Sequence, residues 1–589
     1  MATQSLQKAH DALAAPQASA RTLADGLEQP NLKRRPRLSS AAMREFAEIL
    51  GPRNITDDPA VRAGYSWSLA GGGLPTSQQF MEHWSVAIAL PGSTEEVQAV
   101  VKACLRHGLK FRAQSTGMAA FSCAMQESVV AIDLRRMDKL VEIDAKNQMA
   151  VIEPYVTGAQ LQAEAMKVGL TTHIIGAGWT HSPLASATSY GGVGIGGNYT
   201  GNNQRNLMAW EWVTPEGELI RAGSAGAGSG WFAGEGPGPG FRGMLRGNCG
   251  AGGGLGVFTR IGYKLHPWTG PAQFEHRGVH PQWGIPLSDT MRFYQVVWDD
   301  WEGPRDAAYG FMISNAPTYI LRMPADHIGW TLHPTNREFY DSLVNGTLPD
   351  IARTENRISW TLLVLSETHA EAEWRERTIR AIVEKTRGRF LDVAPEHAEV
   401  LARNAVTSCY VPRVFRAGSR QVMTSVGVFD SFKLLPEVVK TGERLMRPYR
   451  EQRKTINQGV PEGFWMWPSE GRHYWAENII SCDNDSVESG GDGTALVLQI
   501  TEDHAKHPRG VNAFALGGDL AEMYGKALGL NTWMAKVKNA FDPEDAADGL
   551  YPTGKKNIMT RLWPIARPFL FGIPFLLRLA MRLQVKYGK

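Results

Sequence analysis

Two stretches of this chain bring reactive or ligand-gripping groups close together. The first is Glu470-Gly471-Arg472-His473-Tyr474-Trp475, with Glu477 just beyond it. His473 offers an imidazole that can take up a proton. Arg472 can hold a carboxylate or a phenolate, and Tyr474 can donate to a developing oxyanion. The run follows the aromatic stretch Phe464-Trp465-Met466-Trp467 and precedes Ile479-Ile480-Ser481-Cys482, so it reads as strand. Strand alternation then sends only one or two of the three side chains to any one face. The second stretch is Gln114-Ser115-Thr116-Gly117-Met118, a turn between apolar strands. Backbone N–H groups in such a turn have few partners besides the phosphate oxygens of a ligand, although an ordinary tight turn is the alternative.

Other candidates are weaker. Tyr410-Val411-Pro412-Arg413-Val414-Phe415-Arg416 reads as a structural loop rather than a carboxylate clamp. His173 and His181 sit in a glycine-rich stretch, and His181 reads as a surface imidazole. The five cysteines, Cys104, Cys123, Cys249, Cys409 and Cys482, lie far apart. No pair has zinc-finger, iron–sulfur or haem-attachment spacing, so no metal is expected. An odd number also argues against a disulfide framework, and a reducing compartment is expected.

The elements that must hold these groups follow from pattern. Trp84 to Leu90 reads as a strand, and Ser93 with Glu96 as a capping box. Val97, Val100, Val101, Cys104 and Leu105 fall at helical spacing, and Gly108 ends the helix. Strands follow at 110–113, 129–134 and 149–154, with a helix around Ala159, Leu161 and Met166. The stretch from Ser182 to Asn198 is too glycine-rich for a regular element. Residues 210–223 read as a hairpin turning at Pro215-Glu216-Gly217, and 250–260 feed a strand at 261–265. No G-x-G-x-x-G follows the first strand, so the order is not that of a Rossmann unit.

With 589 residues the chain is too long for one ordinary core, and its 43% hydrophobic and 21% charged composition suits a globular protein. Lys and Arg number 62 against 59 Asp and Glu, so no global field marks a nucleic-acid binder. The ends differ from this average. Residues up to about Pro36 read as a solvated tail with no signal peptide. Residues 555–589 carry eight Lys or Arg, no Asp or Glu, and many large apolar residues. The uninterrupted apolar run, 568–577, is far short of the ~20 residues a spanning helix needs. Pro568 and Pro574 disfavour one straight helix there. Such a segment suits an anionic membrane surface, or packs on the protein body or a partner subunit. The expectation is a cytoplasmic chain whose tail allows a peripheral position on the inner face of a membrane.

The succession of segments resembles the p-cresol methylhydroxylase and vanillyl-alcohol oxidase superfamily of FAD-dependent oxidoreductases. The likeness is carried by the Ser-Thr-Gly turn at 115–117, by 141–144 running through 151–157, by the hairpin at 210–223, and by Gly256-Val257-Phe258-Thr259. Near the end, Lys538-Asn539-Ala540-Phe541-Asp542-Pro543-Glu544 and Tyr551-Pro552-Thr553-Gly554-Lys555 look like the family's closing signature. The turn and the run 234–240 look closer to the phenol-oxidising branch than to lactate and glycolate dehydrogenases.

The resemblance implies an α+β fold: a two-subdomain FAD-binding domain at 80–268 plus a mixed-sheet substrate (cap) domain at 269–510, with helices covering the flavin ring. A lead-in at 1–79, a return to the FAD domain at 511–554 and the tail at 555–589 complete the organisation. FAD would rest its pyrophosphate on Gln114, Ser115, Thr116, Gly117 and Met118. Ser182, Thr188, Gly191, Gly192, Gly256 and Val257 would face the rest of the cofactor. Where the phenol-oxidising branch has a tyrosine after the turn, this chain reads Ala119-Ala120-Phe121-Ser122-Cys123. Phe429 stands where some relatives tether the flavin through tyrosine, so non-covalent FAD is expected.

Flavin accepts a hydride, and the protein orients the substrate and handles its proton. His473, Arg472 and Tyr474 are the expected catalytic group. The implied activity is oxidation of a hydrophobic small-molecule substrate, an alcohol or phenol, aromatic ones included. Electrons would pass to a separate acceptor: a cytochrome, a quinone or oxygen. The alternatives are a 2-hydroxy-acid dehydrogenase using Arg413 and Arg416, and a flavin-carrying electron-transfer subunit.

Overall fold

The computed structural model describes residues 37–66, 84–117, 123–189, 192–234, 245, 250–275, 282–353, 358–409, 421–452, 464–469, 471–483, 487–507, 530–549 and 558–587. Met118, Gly191 and the stretches 1–36, 119–122, 235–240, 410–416 and 551–555 lie outside these residues.

Short apolar runs without alternation build strands buried on both faces. The first sheet is of this kind. It contains β1 (Ile55–Thr56), β2 (Ala87–Ala89), β3 (Lys110–Gln114) and β4 (Val129–Asp133) in the order β1-β2-β4-β3. β2, β4 and β3 run parallel, and every residue of β2 and β4 is buried. Helices α1 (Ser40–Leu50) and α2 (Thr94–Arg106) share a core with it, α2 contributing Val97, Val100, Val101 and Cys104. Ser93 Oγ caps α2 by accepting from the Glu96 amide at 3.2 Å. The Glu96 carboxylate reaches one residue further back than a capping box requires, accepting from the Gly92 amide at 2.7 Å. Ile55 pairs with Ala89, so part of the expected lead-in is built into the first sheet.

A second, antiparallel sheet follows. β5 (Leu140–Asp144) and β6 (Met149–Ile152) precede helix α3 (Gly158–Met166). The short strands β7 (Leu170–Thr171), β8 (Ile174–Ile175) and β9 (Gly194–Ile195) lie around helix α4 (Pro183–Ser189) and the single turn α5 (Gly197–Thr200). The stretch expected to be irregular thus contains a helix, because Ser182, Leu184, Ala187 and Thr188 pack inward ahead of the glycines. β10 (Leu207–Val213), β11 (Leu219–Ala222), β12 (Val257–Lys264) and β13 (His266–Pro267) complete the set. The sheet order is β11-β10-β12-β6-β5. The β10–β11 hairpin turns where the sequence indicated, closed by the Gly217 amide donating to Thr214 O at 2.9 Å.

The second half of the chain forms another layered unit. It opens with β14 (Met291–Trp298), α6 (Glu302–Ser314), β15 (Tyr319–Leu321), β16 (Ile358–Leu365), α7 (His369–Lys385), β17 (Arg389–Leu391) and α8 (Pro395–Thr407). It continues with β18 (Gln421–Ser431), α9 (Leu435–Glu451), β19 (Phe464–Ser469), β20 (His473–Asp483) and α10 (Val487–Lys506). The sheets β15-β16-β14-β17 and β18-β20-β19 join through Arg322 and Met466, which exchange two backbone hydrogen bonds of 3.0 and 3.2 Å.

Every strand pairing described here is antiparallel, which corrects the expected mixed sheet. β14 and β16 pair directly and antiparallel, so the helical segments between them form no parallel crossover; α6 packs on one face and the helix Ala325–Leu332 on the other. One face packs on α6, α7 and α9 through Ile320, Leu362, Met466, Tyr474 and Ala476. The opposite face carries Tyr319, Leu321, Leu363, Trp465, Trp467 and Trp475 and shares a core with Met166, Ile174 and Ile195. The face turned toward the first half of the chain is thus a buried aromatic sheet, covered in part by α8 and by the helix Ala325–Leu332, which adds Ile328 and Leu332 to the same core.

After α10 the chain returns. Helix α11 (Leu530–Phe541) leads to Ala547, which bridges Phe111 in parallel beside β3. The Phe111 amide donates to Ala546 O at 2.9 Å, and the Asp548 amide donates to Phe111 O at 2.8 Å. Helices α12 (Ile558–Gly572) and α13 (Pro574–Tyr587) end the described chain. Pro574 breaks the segment as expected, whereas Pro564 and Pro568 lie inside α12. Both are on its exposed side, where water can meet the carbonyls they leave unpaired.

Candidate cofactor and substrate site

The turn after β3 is held from both sides. Leu134 donates its amide to Gln114 O at 2.9 Å, and Ser115 Oγ donates to Pro154 O at 2.5 Å, tying the turn to the segment after β6. Gly117 has φ +71°, and a Cβ there would fall 2.6 Å from Gln114 Nε2. Among the described residues no backbone carbonyl accepts from the amides of Ser115, Thr116 or Gly117. The charges nearby are spent within the protein. Arg112 Nη1 lies 3.2 Å from Asp548 Oδ2, and Lys110 Nζ lies 2.7 Å from Asp545 Oδ2. What the turn itself offers an anion is therefore its backbone dipoles. A diphosphate fits that chemistry. Cys123, just beyond, is buried, and burial pushes its thiol up to about 11.

The other expected cofactor contacts have roles within the protein. Ser182 Oγ accepts from the Ala185 amide at 3.1 Å, and Thr188 Oγ1 donates to Leu184 O at 2.9 Å. Val257 is a core residue paired with Val213. A Cβ on Gly192 would meet Asn203 Cβ at 2.3 Å, and one on Gly256 would meet Val213 O at 2.2 Å. At both positions glycine is required by protein packed against it.

The expected catalytic trio is divided. Arg472 and His473 are exposed at the tip of the β19–β20 hairpin, with Arg472 at φ +64° in the turn. His473 stands opposite Ser431 and Ser469, and Ser469 Oγ donates to Asn202 Oδ1 at 2.9 Å, holding the tip against the segment after α5. Tyr474 is fully buried on the helix-covered face, with its ring 5.5 Å from Phe432. The expectation that it meets a substrate oxyanion beside His473 is thus corrected by the pleat. The neighbour on the face toward the first half is Trp475.

What the sequence reading did not single out is a buried polar cluster at the junction of the two halves. Trp467 lies so close to Gly176 that a Cβ there would be 2.9 Å from the indole. Ser408 Oγ, at the end of α8, donates to Gly176 O at 2.6 Å. His173 Nδ1 sits 2.8 Å from Thr200 Oγ1, and burial pushes the imidazole down to about 3, so it is neutral at physiological pH. His173 Nε2, Asn404 Nδ2 and Trp467 Nε1 have no protein partner among the described residues. Arg403 spreads over Trp283 at 5.0 Å and donates to Trp283 O at 2.8 Å. Buried polar atoms rarely go unpaired in a native fold, so this junction suits a polar ligand edge. The aromatic wall beside it suits a flat apolar one. The only hint in the sequence was a histidine directly ahead of the apolar pair Ile174-Ile175.

Residues 86–223 match the FAD binding domain family. An uncharacterized FAD-linked oxidoreductase of Mycobacterium tuberculosis is 28% identical over 230 residues, 38% of this chain and 45% of the relative. The flavoprotein subunit of 4-cresol dehydrogenase (hydroxylating) from Pseudomonas putida is 26% identical over 191 residues, 31% of this chain and 35% of the relative. These alignments span less than half of each relative's length. Among solved structures, 4-ethylphenol oxidase from Gulosibacter chungangensis in complex with isoeugenol has a TM-score of 0.65 at 17% identity, covering 89% of this chain and 98% of that one. Substrate-bound p-cresol methylhydroxylase has a TM-score of 0.66 at 16% identity, covering 89% and 97%.

Residues 86–223 are an FAD binding domain, which makes the chain a flavoprotein. Its fold is that of the solved 4-ethylphenol oxidase and p-cresol methylhydroxylase.

Proposed function

We propose that the chain is an FAD-dependent oxidoreductase acting on a hydrophobic small molecule, an alcohol or phenol, and passing electrons to a separate acceptor: a cytochrome, a quinone or oxygen. The observation that carries this is the pairing of an amide-lined turn, within an FAD binding domain, with an aromatic sheet face meeting a buried polar junction. We read the two sheets of the first half as the two subdomains of the FAD-binding domain. Bound FAD supplies a two-electron acceptor for a hydride.

The residues of this chain do the rest. The turn at 114–117 holds the diphosphate through its amides. His173, Asn404 and Trp467 present hydrogen-bond donors or acceptors to a polar ligand edge. Trp465, Trp467 and Trp475 exclude water and select flat apolar substrates. His473, exposed at the hairpin tip, is the imidazole assigned to proton handling in this reading. The names of two relatives, 4-cresol dehydrogenase and 4-ethylphenol oxidase, favour phenols among the substrates.

The test is the absorption spectrum of the purified protein, followed anaerobically with candidate substrates. A flavin band bleached by aryl alcohols or alkylphenols is expected. Bleaching by lactate alone would move the assignment to 2-hydroxy acids, and bleaching only by a partner's electrons would make this an electron-transfer subunit. A colourless protein that takes up no FAD would overturn the proposal.

A further inference from the structure

The C-terminal hairpin, α12 and α13, shows two unlike sides. Its inner side docks on α10. Leu577 and Met581 of α13 are buried, Trp563 of α12 is buried, and Arg582 Nη2 reaches Asp492 Oδ2 at 2.9 Å. Arg567 of α12 grips Glu502 with Nε lying 3.0 and 2.9 Å from its two carboxylate oxygens. The outer side is apolar. Leu562, Ile565, Phe569 and Ile573 form one stripe at helical spacing, and Phe575, Leu579 and Leu583 form another. Ile565, Phe569 and Phe575 are 69%, 65% and 63% exposed. Of the sixteen large apolar side chains exposed among the described residues, seven lie in this one hairpin. A concentration of that kind marks an interaction surface.

Charge decides the partner. Residues 555–589 hold eight Lys or Arg and no Asp or Glu; among the described side chains Arg567 pairs with Glu502 and Arg582 with Asp492. A second copy docking here would bring two strongly cationic segments together, whereas an anionic surface is attracted to them. Neither helix can span. At 15 and 14 residues they are about 22 and 21 Å long, against about 30 Å of hydrocarbon. No helix of the described residues is long and apolar enough to cross a membrane. A helix with an apolar stripe and basic residues, lying flat, buries that stripe among acyl chains and leaves cationic heads at the phosphates.

We infer that the outer face of the α12–α13 hairpin docks the protein flat on an anionic phospholipid bilayer. The inference stands independently of the proposed oxidation, since the hairpin packs on α10 through its own contacts.

Flotation of the full-length protein with vesicles tests it, with protein read by gel so that flavin content does not enter. The chain is expected to float with phosphatidylcholine–phosphatidylglycerol vesicles, to stay at the bottom with phosphatidylcholine alone, and to be released by added salt. A variant carrying Ile565→Ser, Phe569→Ser and Phe575→Ser, all on exposed positions, should lose about tenfold or more of that binding with its thermal unfolding unchanged. Failure of the unsubstituted protein to float with either vesicle would overturn the inference. So would equal flotation of protein and variant. A dimer mass in light scattering that the same variant abolishes would assign the face to a second copy instead.

Discussion

Trp467 and Tyr474 illustrate how much a single pleat decides. They sit on neighbouring strands, yet Trp467 faces the junction with Gly176 and Tyr474 faces the helices. Tyr474→Phe keeps the ring packed against Phe432, so substrate oxidation should be unchanged in steady-state assays. Trp467→Ala should lower kcat/KM by about tenfold or more, because it removes both the apolar wall and the indole N–H. Gly117→Val is expected to abolish FAD retention on a desalting column, since the left-handed backbone and the nearby Gln114 side chain leave no room for a branched residue. Gly256→Ala should instead cost about 2 kcal/mol or more of folding stability in urea, as its φ of +104° and the approach of Val213 O oppose any Cβ.

At the scale of elements, the return segment has a clear energetic weight. Lys538 is fully buried, ion-paired with Asp542, and donates to Gly254 O at 2.9 Å and Ala547 O at 2.6 Å. It thus pins α11 to the loop before β12 and to the strand beside β3. Lys538→Met would strand a buried carboxylate and should cost about 3–5 kcal/mol, seen as a lower urea midpoint. Elements of this first half were largely legible in the sequence. α2 announced itself through Ser93 and its valine spacing, and β4 and the β10–β11 hairpin through short apolar runs and a Pro-Glu-Gly turn. The second half was less so. β14 is buried at five of its eight residues and β16 along all of its length, so no alternation revealed which face was which or how the strands paired. The turn at 114–117 was legible because its residue types are local. The junction of His173, Asn404 and Trp467 was not, because tertiary packing brings together residues up to almost 300 positions apart.

For the molecule as a whole, three buried histidines set a direction for pH dependence. Burial pushes His173 down to about 3, His266 to about 4 and His327 to about 3. Each folded-state value lies below that of the unfolded chain, near 6.5. As pH falls below about 6.5 the unfolded chain therefore gains protons that the folded one refuses, and stability declines progressively toward pH 4. Thermal melting between pH 8 and pH 5 should show a falling midpoint, with the slope reduced in a His173→Asn variant.

The parallel contact of Ala547 with Phe111 has a consequence for biosynthesis. A sheet that starts at Ile55 receives its last edge from a segment more than 400 residues later, next to the turn at 114–117. A nascent chain still on the ribosome has β3 without that edge until Ala547 has emerged. A product truncated after α10 would therefore be left with β3 as an open edge exposed to aggregation, seen as a loss of soluble protein.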